Sequence, residues 1–134
     1  MSGLTDEAKA LLAEAIPGWA TTVRPDGSLH STVVWVDVEG DDVIFNTAIG
    51  RAKEKHLRAD PRVSVSVAHP RDAFRFVSVS GIARLEEEGA ADVFDQLARK
   101  YLGIADHPHR SGAGERITIR VRPDRVIFKP GGQG

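Results

Sequence analysis

Residues Val43–Pro61 read VIFNTAIGRAKEKHLRADP, and the parsing of the whole chain turns on them. VIFNT has the β-branched and aromatic composition of a strand. The strand breaks at Ala48-Ile49-Gly50. A short basic helix then starts with Arg51 and Lys53 and stops at Ala59-Asp60-Pro61, because a residue before proline is pushed out of the α region. A strand that turns directly into a helix leaves free N–H groups at the helix start. Two cations beside those donors make a place for a phosphate group. The same spacing fits a solvated amphipathic helix with Lys and Arg on its wet face. The residues alone leave both readings open.

Working outward, Thr5 reads as a helix N-cap with Asp6 and Glu7 in the first turn. Leu4, Ala8, Leu11, Leu12 and Ala15 form an apolar stripe that ends at Pro17-Gly18. Trp19–Arg24 reads as a strand, Pro25-Asp26-Gly27 as a turn, and Leu29–Val38 (LHSTVVWVDV) as a second strand. Gly40-Asp41-Asp42 turns the chain into Val43–Thr47, so the first three strands are expected to form a meander. Downstream, Arg62–Ala68 alternates with period two, and His69–Asp72 is a loop. Phe74–Leu85 is a long strand whose Gly81 marks a bulge or a close backbone approach. Glu86–Gly89 leads into a helix with Ala90, Phe94, Leu97 and Tyr101 on one stripe and Val93 beside it. Gly103–Glu115 is a polar loop. Ile117–Val121 and Arg125–Phe128 read as two strands separated by Arg122-Pro123-Asp124, and residues 130–134 are expected to fray. The expectation is a mainly β fold with flanking helices: six to seven antiparallel strands in a closed or nearly closed split barrel, one domain over residues 1–134 with its core at about 5–129.

The bulk numbers narrow the function classes. A chain of 134 residues with 41% apolar content suits one domain with a real core, since domains commonly run roughly 100–150 residues. A net charge of −1 gives no whole-molecule attraction for nucleic acid or anionic membrane, so any basic function is local. The absence of cysteine excludes disulfides, thiol catalysis and Cys-ligated zinc. The N-terminus has no basic region and carries Asp6, Glu7 and Glu14 within its apolar pattern, unlike a signal peptide. No apolar run approaches the roughly 20 residues of a membrane span. A cytoplasmic protein is the simplest expectation.

The order β-β-β, short basic helix, β-β, helix, β-β resembles the FMN-binding split barrel of the pyridoxamine 5′-phosphate oxidase-like superfamily. GRAKEKHLRADPRVSVSV resembles its basic pair, leucine, Asp/Asn-Pro and strand; FVSVSGIARL resembles its later strand with an internal glycine; RVRPDRVIF resembles its final segment. The likeness covers roughly residues 5–129. Within the superfamily the chain resembles the small actinobacterial-type branch, many of whose members are similar to deazaflavin-dependent reductases that use coenzyme F420 rather than FMN. The C-terminal Trp, Arg and His signature of the classical oxidases is missing here.

The resemblance implies a cofactor site assembled from several segments. Ser31, Thr32, Val33 and Val34 match the ring- and phosphate-contacting strand, which runs on to Val36. Ser31 and Val36 stand where the family usually has basic residues. Asn46 and Thr47 match positions whose backbone and hydroxyl meet the cofactor. Arg51, Ala52 and Lys53 match the segment that grips its phosphate. Phe76 matches a position that reaches the cofactor from the second subunit of a homodimer. Arg24, Lys55, Arg58 and Arg62 are candidates for the acidic tail of coenzyme F420. The implied activity is hydride transfer between reduced coenzyme F420 and an unsaturated organic acceptor, with no protein side chain as a catalytic residue. An FMN-dependent oxidoreductase and a non-catalytic cofactor-binding protein are the alternatives.

Other features carry less. His107-Pro108-His109-Arg110 suggests a metal only weakly, since no familiar spacing supplies a third ligand. It also reads as a substrate-facing loop. His30 and His56 read as surface or edge residues, and Ser78 and Ser80 as the outer face of a strand. Trp35 reads as core or interface before cofactor wall.

Overall fold

The computed structural model describes residues 3–103 and 114–132. The metal reading of His107 and His109, and most of the Gly103–Glu115 loop, lie outside the described residues. The elements run α1 (Asp6–Ala13), β1 (Gly18–Val23), β2 (Leu29–Val34), β3 (Val36–Glu39), β4 (Asp42–Ala48), α2 (Ala52–Ala59), β5 (Arg62–His69), β6 (Asp72–Glu86), α3 (Ala90–Leu102) and β7 (Arg116–Pro130). The strands form one sheet in the order β2-β1-β5-β6-β7-β4-β3, with every neighbouring pair antiparallel. This is the mainly β split barrel expected.

The order explains the curl. β2 and β3 are the two outermost strands, yet only Trp35 separates them in sequence. Consecutive Cα atoms lie about 3.8 Å apart, so the ends of the two sheet edges must meet at Trp35. The sheet rolls up until they do. The expected single strand Leu29–Val38 is therefore two strands, and the expected three-strand meander does not form. β1 and β2 make a hairpin at one edge, and β3 and β4 make another at the far edge. Nothing local signals the change, because STVVWV is good strand sequence throughout. Closure of the sheet imposes it.

The last two expected strands are one. β7 passes through Pro123 without stopping. Its register against β6 steps from Ser80↔Arg125 to Gly81↔Pro123, leaving Asp124 as an extra residue. A bulge is one of the few places a strand tolerates proline. Gly81 faces this bulge, and a Cβ there would lie 2.3 Å from the Arg122 carbonyl oxygen. The strand also reaches Pro130, and the Gly132 N–H donates to Asp72 Oδ2 at 2.8 Å.

The inner face of the sheet holds the core. Val65, Val77, Val79, Phe45 and Ile119 are buried on it, and α1 packs Ala8, Leu11 and Leu12 against them. Thr5 caps α1 by accepting from the Ala8 N–H at 3.1 Å, as expected. Ser64, Ser66, Ser78 and Ser80 alternate to the outer face, where the Ser66 hydroxyl donates to Ser78 at 3.0 Å. That face also carries Trp19, Leu29, Val33, Phe74, Ile82 and Ile127, each 47–65% exposed. No helix among the described residues is long and apolar enough to cross a membrane.

Candidate functional site

A cleft of about 210 Å³ opens at the seam where the sheet edges meet. Val33, Val34 and Trp35 come from the end of β2, Asn46 and Thr47 from β4, Arg51 and Lys53 from the start of α2, Phe94 and Leu97 from α3, and Arg116 from the start of β7. Three cations line it, with no carboxylate among the described lining residues. One wall is aromatic and aliphatic.

The cations are placed by identifiable bonds. Arg51 is the N-cap of α2, without a side-chain cap bond. The first-turn N–H groups that follow have no acceptor within the helix. The turn before it is held by Glu54, a buried carboxylate that accepts from the Gly50 N–H at 2.8 Å and pairs with Arg58. The Gly50 hydrogen bond, and after it Arg58, holds the Glu54 carboxyl below its ordinary pKa. Lys53 Nζ donates to Thr32 Oγ1 at 2.9 Å. Burial lowers the Lys53 pKa, and the like charges of Arg51 and Arg116 lower it further. Arg116 donates to Asn46 Oδ1 at 2.7 Å and lies 4.3 Å from the centre of the Phe94 ring. Burial lowers its pKa, with Arg51 adding to the effect. Asn46 in turn donates to the Ala90 carbonyl at 3.0 Å, which ties Arg116 to the first turn of α3. Partly desolvated like charges held this close disfavour one another until an anion arrives. The fit is to a phosphate-bearing ligand.

The aromatic wall rests on α3. The Trp35 ring stacks on Tyr101 at 5.6 Å and 10° and on Phe94 at 6.3 Å and 25°. The Tyr101 hydroxyl accepts from the Val36 N–H at 3.1 Å and donates toward the Ile16 carbonyl at 2.8 Å. Lys100 Nζ donates to the Val36 and Leu12 carbonyls at 2.7 and 2.9 Å. The Val36 backbone at the seam and the Leu12 and Ile16 carbonyls are thus bonded to side chains of α3.

The implied site residues separate into groups. Val33, Val34, Asn46, Thr47, Arg51 and Lys53 meet in the cleft, and Thr32 stands behind Lys53. Ser31 turns to the outer face and bonds Thr21 at 2.8 Å. The Ala52 side chain is exposed and outside the lining. Phe76 lies on the outer face of β6, paired with Lys129, and does not line the cleft of its own chain. Val36 is buried at the seam. Among the proposed tail cations, Arg58 pairs with Glu54 and Glu87, and Arg62 with Asp60 at 2.6 Å. Arg24 Nη1 donates to the Leu29 carbonyl at 2.7 Å, while Lys55 is exposed.

Sequence reasoning ranked Trp35 as core or interface before cofactor wall, whereas it lines the cleft, and it missed Arg116 altogether. Trp35 has no periodic signal, since it is the one residue between two strands. Arg116 becomes recognisable only through the pairing of β4 with β7, which sets Ala48 opposite Arg116 and Asn46 opposite Thr118. Phe94 and Leu97 were legible as an apolar stripe, but not as a stripe with one end in a cleft. Beside the cleft, His56 Nδ1 lies 2.9 Å from Thr22 Oγ1, and its ring meets His30 edge-on at 5.1 Å. Burial lowers the His30 pKa, with Arg24, His56 and Lys53 adding to it. No cluster of three or more metal-ligating groups occurs among the described residues.

A split barrel with a cationic, aromatic-walled cleft at its seam defines the class of flavin-binding split-barrel proteins. The chain belongs to the pyridoxamine 5′-phosphate oxidase family, whose sequence pattern matches residues 4–130. This is a family of flavin-binding oxidoreductases. Among solved structures, the chain is similar to a protein described as an F420 reductase, with 26% identity over 92% of this chain and 98% of the other, at a TM-score of 0.82. The conserved hypothetical protein Rv2991 of Mycobacterium tuberculosis shares the fold, with 23% identity over 95% and 85% of the two chains and a TM-score of 0.80. So does General Stress Protein 26 of Bacillus anthracis str. Sterne, with 19% identity over 95% and 94% and a TM-score of 0.71. No curated protein matches the chain in sequence.

Proposed function

We propose that the protein is an oxidoreductase that uses reduced coenzyme F420 to transfer a hydride to an unsaturated organic acceptor. The observation that carries this reading is the cleft itself, where Arg51, Lys53 and Arg116 converge, with no carboxylate among the described lining residues, beside a wall of Trp35 and Phe94. Such a lining suits a ligand with a phosphate at one end and a flat ring at the other. The likeness to an F420 reductase over nearly the full length of both chains supports the deazaflavin.

When bound, the deazaflavin supplies the hydride. The chain's own part is binding, orientation and exclusion of water. Arg51, Lys53 and Arg116 neutralise the phosphate through charge-assisted hydrogen bonds. Val33, Val34 and Leu97 keep the neighbourhood apolar.

FMN is the second reading. A specific observation favours it: Arg58 and Arg62 are engaged by carboxylates, leaving fewer cations for a long acidic tail. Titration of the purified protein with coenzyme F420 and FMN at equal concentrations tests the choice. Tighter F420 binding with turnover supports the proposal. Tighter FMN binding with turnover on FMN alone replaces it. Binding without turnover of any acceptor leaves a cofactor carrier.

The working unit is a homodimer with cofactor sites at the subunit interface. The exposed apolar residues of the outer face support this, because large apolar side chains gathered on one face mark contact surfaces. So does the cleft's size of about 210 Å³, below the roughly 300–1,000 Å³ of complete small-molecule sites. In this assembly the family resemblance would assign Phe76 of a second copy to the cleft.

A further inference from the structure

We propose that Glu54 is a positioning residue for the phosphate grip, and that Arg58 serves the same site by neutralising Glu54 rather than by touching the ligand. This rests on the reading above that the cleft takes a phosphate-bearing cofactor, but not on whether that cofactor is F420 or FMN.

The backbone leading into α2 carries it. The Ile49 N–H donates to the Glu115 carbonyl at 2.8 Å, and the Arg51 N–H to the Ala48 carbonyl at 3.2 Å. Between them, the Gly50 N–H takes a side chain as its acceptor, Glu54 Oε1 at 2.8 Å. Gly50 has a φ of +94°, in the left-handed region that favours glycine. Glu54 therefore pins a turn whose next residue is Arg51, with Lys53 close behind, and both of these line the cleft. Glu54 and Arg58 do not belong to that lining. The position also works against the ligand. Glu54 lies in the first turn of α2 and is 5% exposed. A carboxylate there is drawn to the same positive helix end as a phosphate, so an unpaired charge on it opposes the ligand. Arg58, one turn further on, removes that opposition. Its Nε donates to Glu54 Oε2, so one carboxylate oxygen holds the turn and the other holds the counter-charge. Arg58 Nη2 lies 3.4 Å from Glu87 Oε2 as well. Its guanidinium is thus turned to two carboxylates rather than to the cleft.

The test is a rescue, read on protein shown to be folded by circular dichroism. Coenzyme F420 and FMN are titrated by ring fluorescence. Ribose 5-phosphate, which has neither ring nor acidic tail, is measured by competition against the tighter cofactor. Arg58→Ala strands the Glu54 charge beside the grip. It is expected to weaken the cofactor and ribose 5-phosphate by the same factor, roughly threefold to thirtyfold for one charge at a partly buried helix end. Glu54→Gln removes the charge but keeps an amide oxygen for the Gly50 N–H, so adding it to Arg58→Ala is expected to restore the lost affinity. Glu54→Leu, of similar size but without the acceptor, is expected to bind roughly twofold to tenfold more weakly than Glu54→Gln. Glu87→Gln, which breaks only the outer ion pair, is expected to change nothing. A double variant no better than Arg58→Ala overturns the proposal, since Arg58 then acts on its own. A loss confined to F420 overturns it as well, because that marks a contact with the tail. Wild-type affinity in Arg58→Ala, or equal binding by Glu54→Leu and Glu54→Gln, reduces the pair to a structural brace and also overturns it. Should the Glu54 variants fail to fold, Arg58→Ala decides through its losses for F420 and for ribose 5-phosphate. Failure of the wild-type protein to bind any of the three probes overturns both this proposal and the functional reading. A preference for FMN overturns only the choice of F420.

Discussion

Lys53 sits where stability and binding oppose each other. Its ammonium is half-buried and faces Arg51 and Arg116, and both effects lower its pKa. Without an anion the charge is a liability, offset in part by the Thr32 hydroxyl. Lys53→Met is therefore expected to leave the apoprotein as stable as the wild type, or more stable by up to about 1 kcal/mol. The same change is expected to weaken cofactor binding by about 1.5–3 kcal/mol, the range for a hydrogen bond to a charged group, or roughly tenfold to a hundredfold. Urea denaturation and calorimetry on one preparation measure both, with Lys55→Ala as the exposed control expected to change neither by much. A clear loss of apoprotein stability in Lys53→Met would refute the opposition. Glu54 behaves in the other sense. Its pKa is lowered by the Gly50 N–H and by Arg58, so its contribution is present above the unfolded value, near about 4.3. That contribution is lost as pH falls through the folded value. Glu54→Gln is expected to cost about 1–3 kcal/mol at pH 7 and nothing at strongly acid pH. Denaturant midpoints from pH 7 to 3 check this, and a cost independent of pH would rule out the ionic origin.

Gly81 and the bulge opposite it make one unit at the element scale. The Arg122 carbonyl would stand 2.3 Å from a Cβ at Gly81, and it belongs to a backbone paired with β6 and unable to swing away. Gly81→Ala is expected to destabilise by about 1–3 kcal/mol, with the urea midpoint falling and the slope unchanged. A neutral effect would mean that the bulge re-forms one residue away. The need for a glycine at position 81 was legible in the sequence, because a glycine inside a strong strand pattern weakens the strand unless a bulge or a close backbone requires it. The continuity of β7 through Pro123 was not, because proline is a strand breaker unless a partner strand supplies the bulge. Trp35 shows the same limit. Period-two patterning reports which residues alternate, not which strands pair, so LHSTVVWVDV gave no hint that its two halves lie at opposite edges. The basic helix start was legible because its signals are local: a turn, two cations and a proline stop. Arg116 was not, because only sheet pairing brings it to that helix.

At the scale of the whole molecule, two features among the described residues bear on assembly. The outer sheet face exposes Trp19, Val33, Ile82 and Ile127, and the cleft of about 210 Å³ is small for a flavin-sized ligand. A second copy over that face would complete both. Val33 supports the coupling, since it is half-exposed on the outer face and also lines the cleft. A stable interface of this kind buries roughly 2,000 Å² or more, so the protein is expected to sediment as a dimer at micromolar concentration. Ile127→Glu adds a charge to the exposed outer face opposite Ser78, while the adjacent Val126 and Phe128 carry the contacts to the core. It is expected to give a folded monomer, with thermal stability lowered by the lost association rather than by a damaged core. Cofactor affinity is expected to fall with dimerisation, about tenfold or more if the partner supplies one charged or aromatic contact. Sedimentation and cofactor titration of the same variant decide the matter. A wild-type monomer would remove the interface. A monomeric Ile127→Glu protein that binds cofactor at full affinity would keep the interface but assign the whole site to one chain.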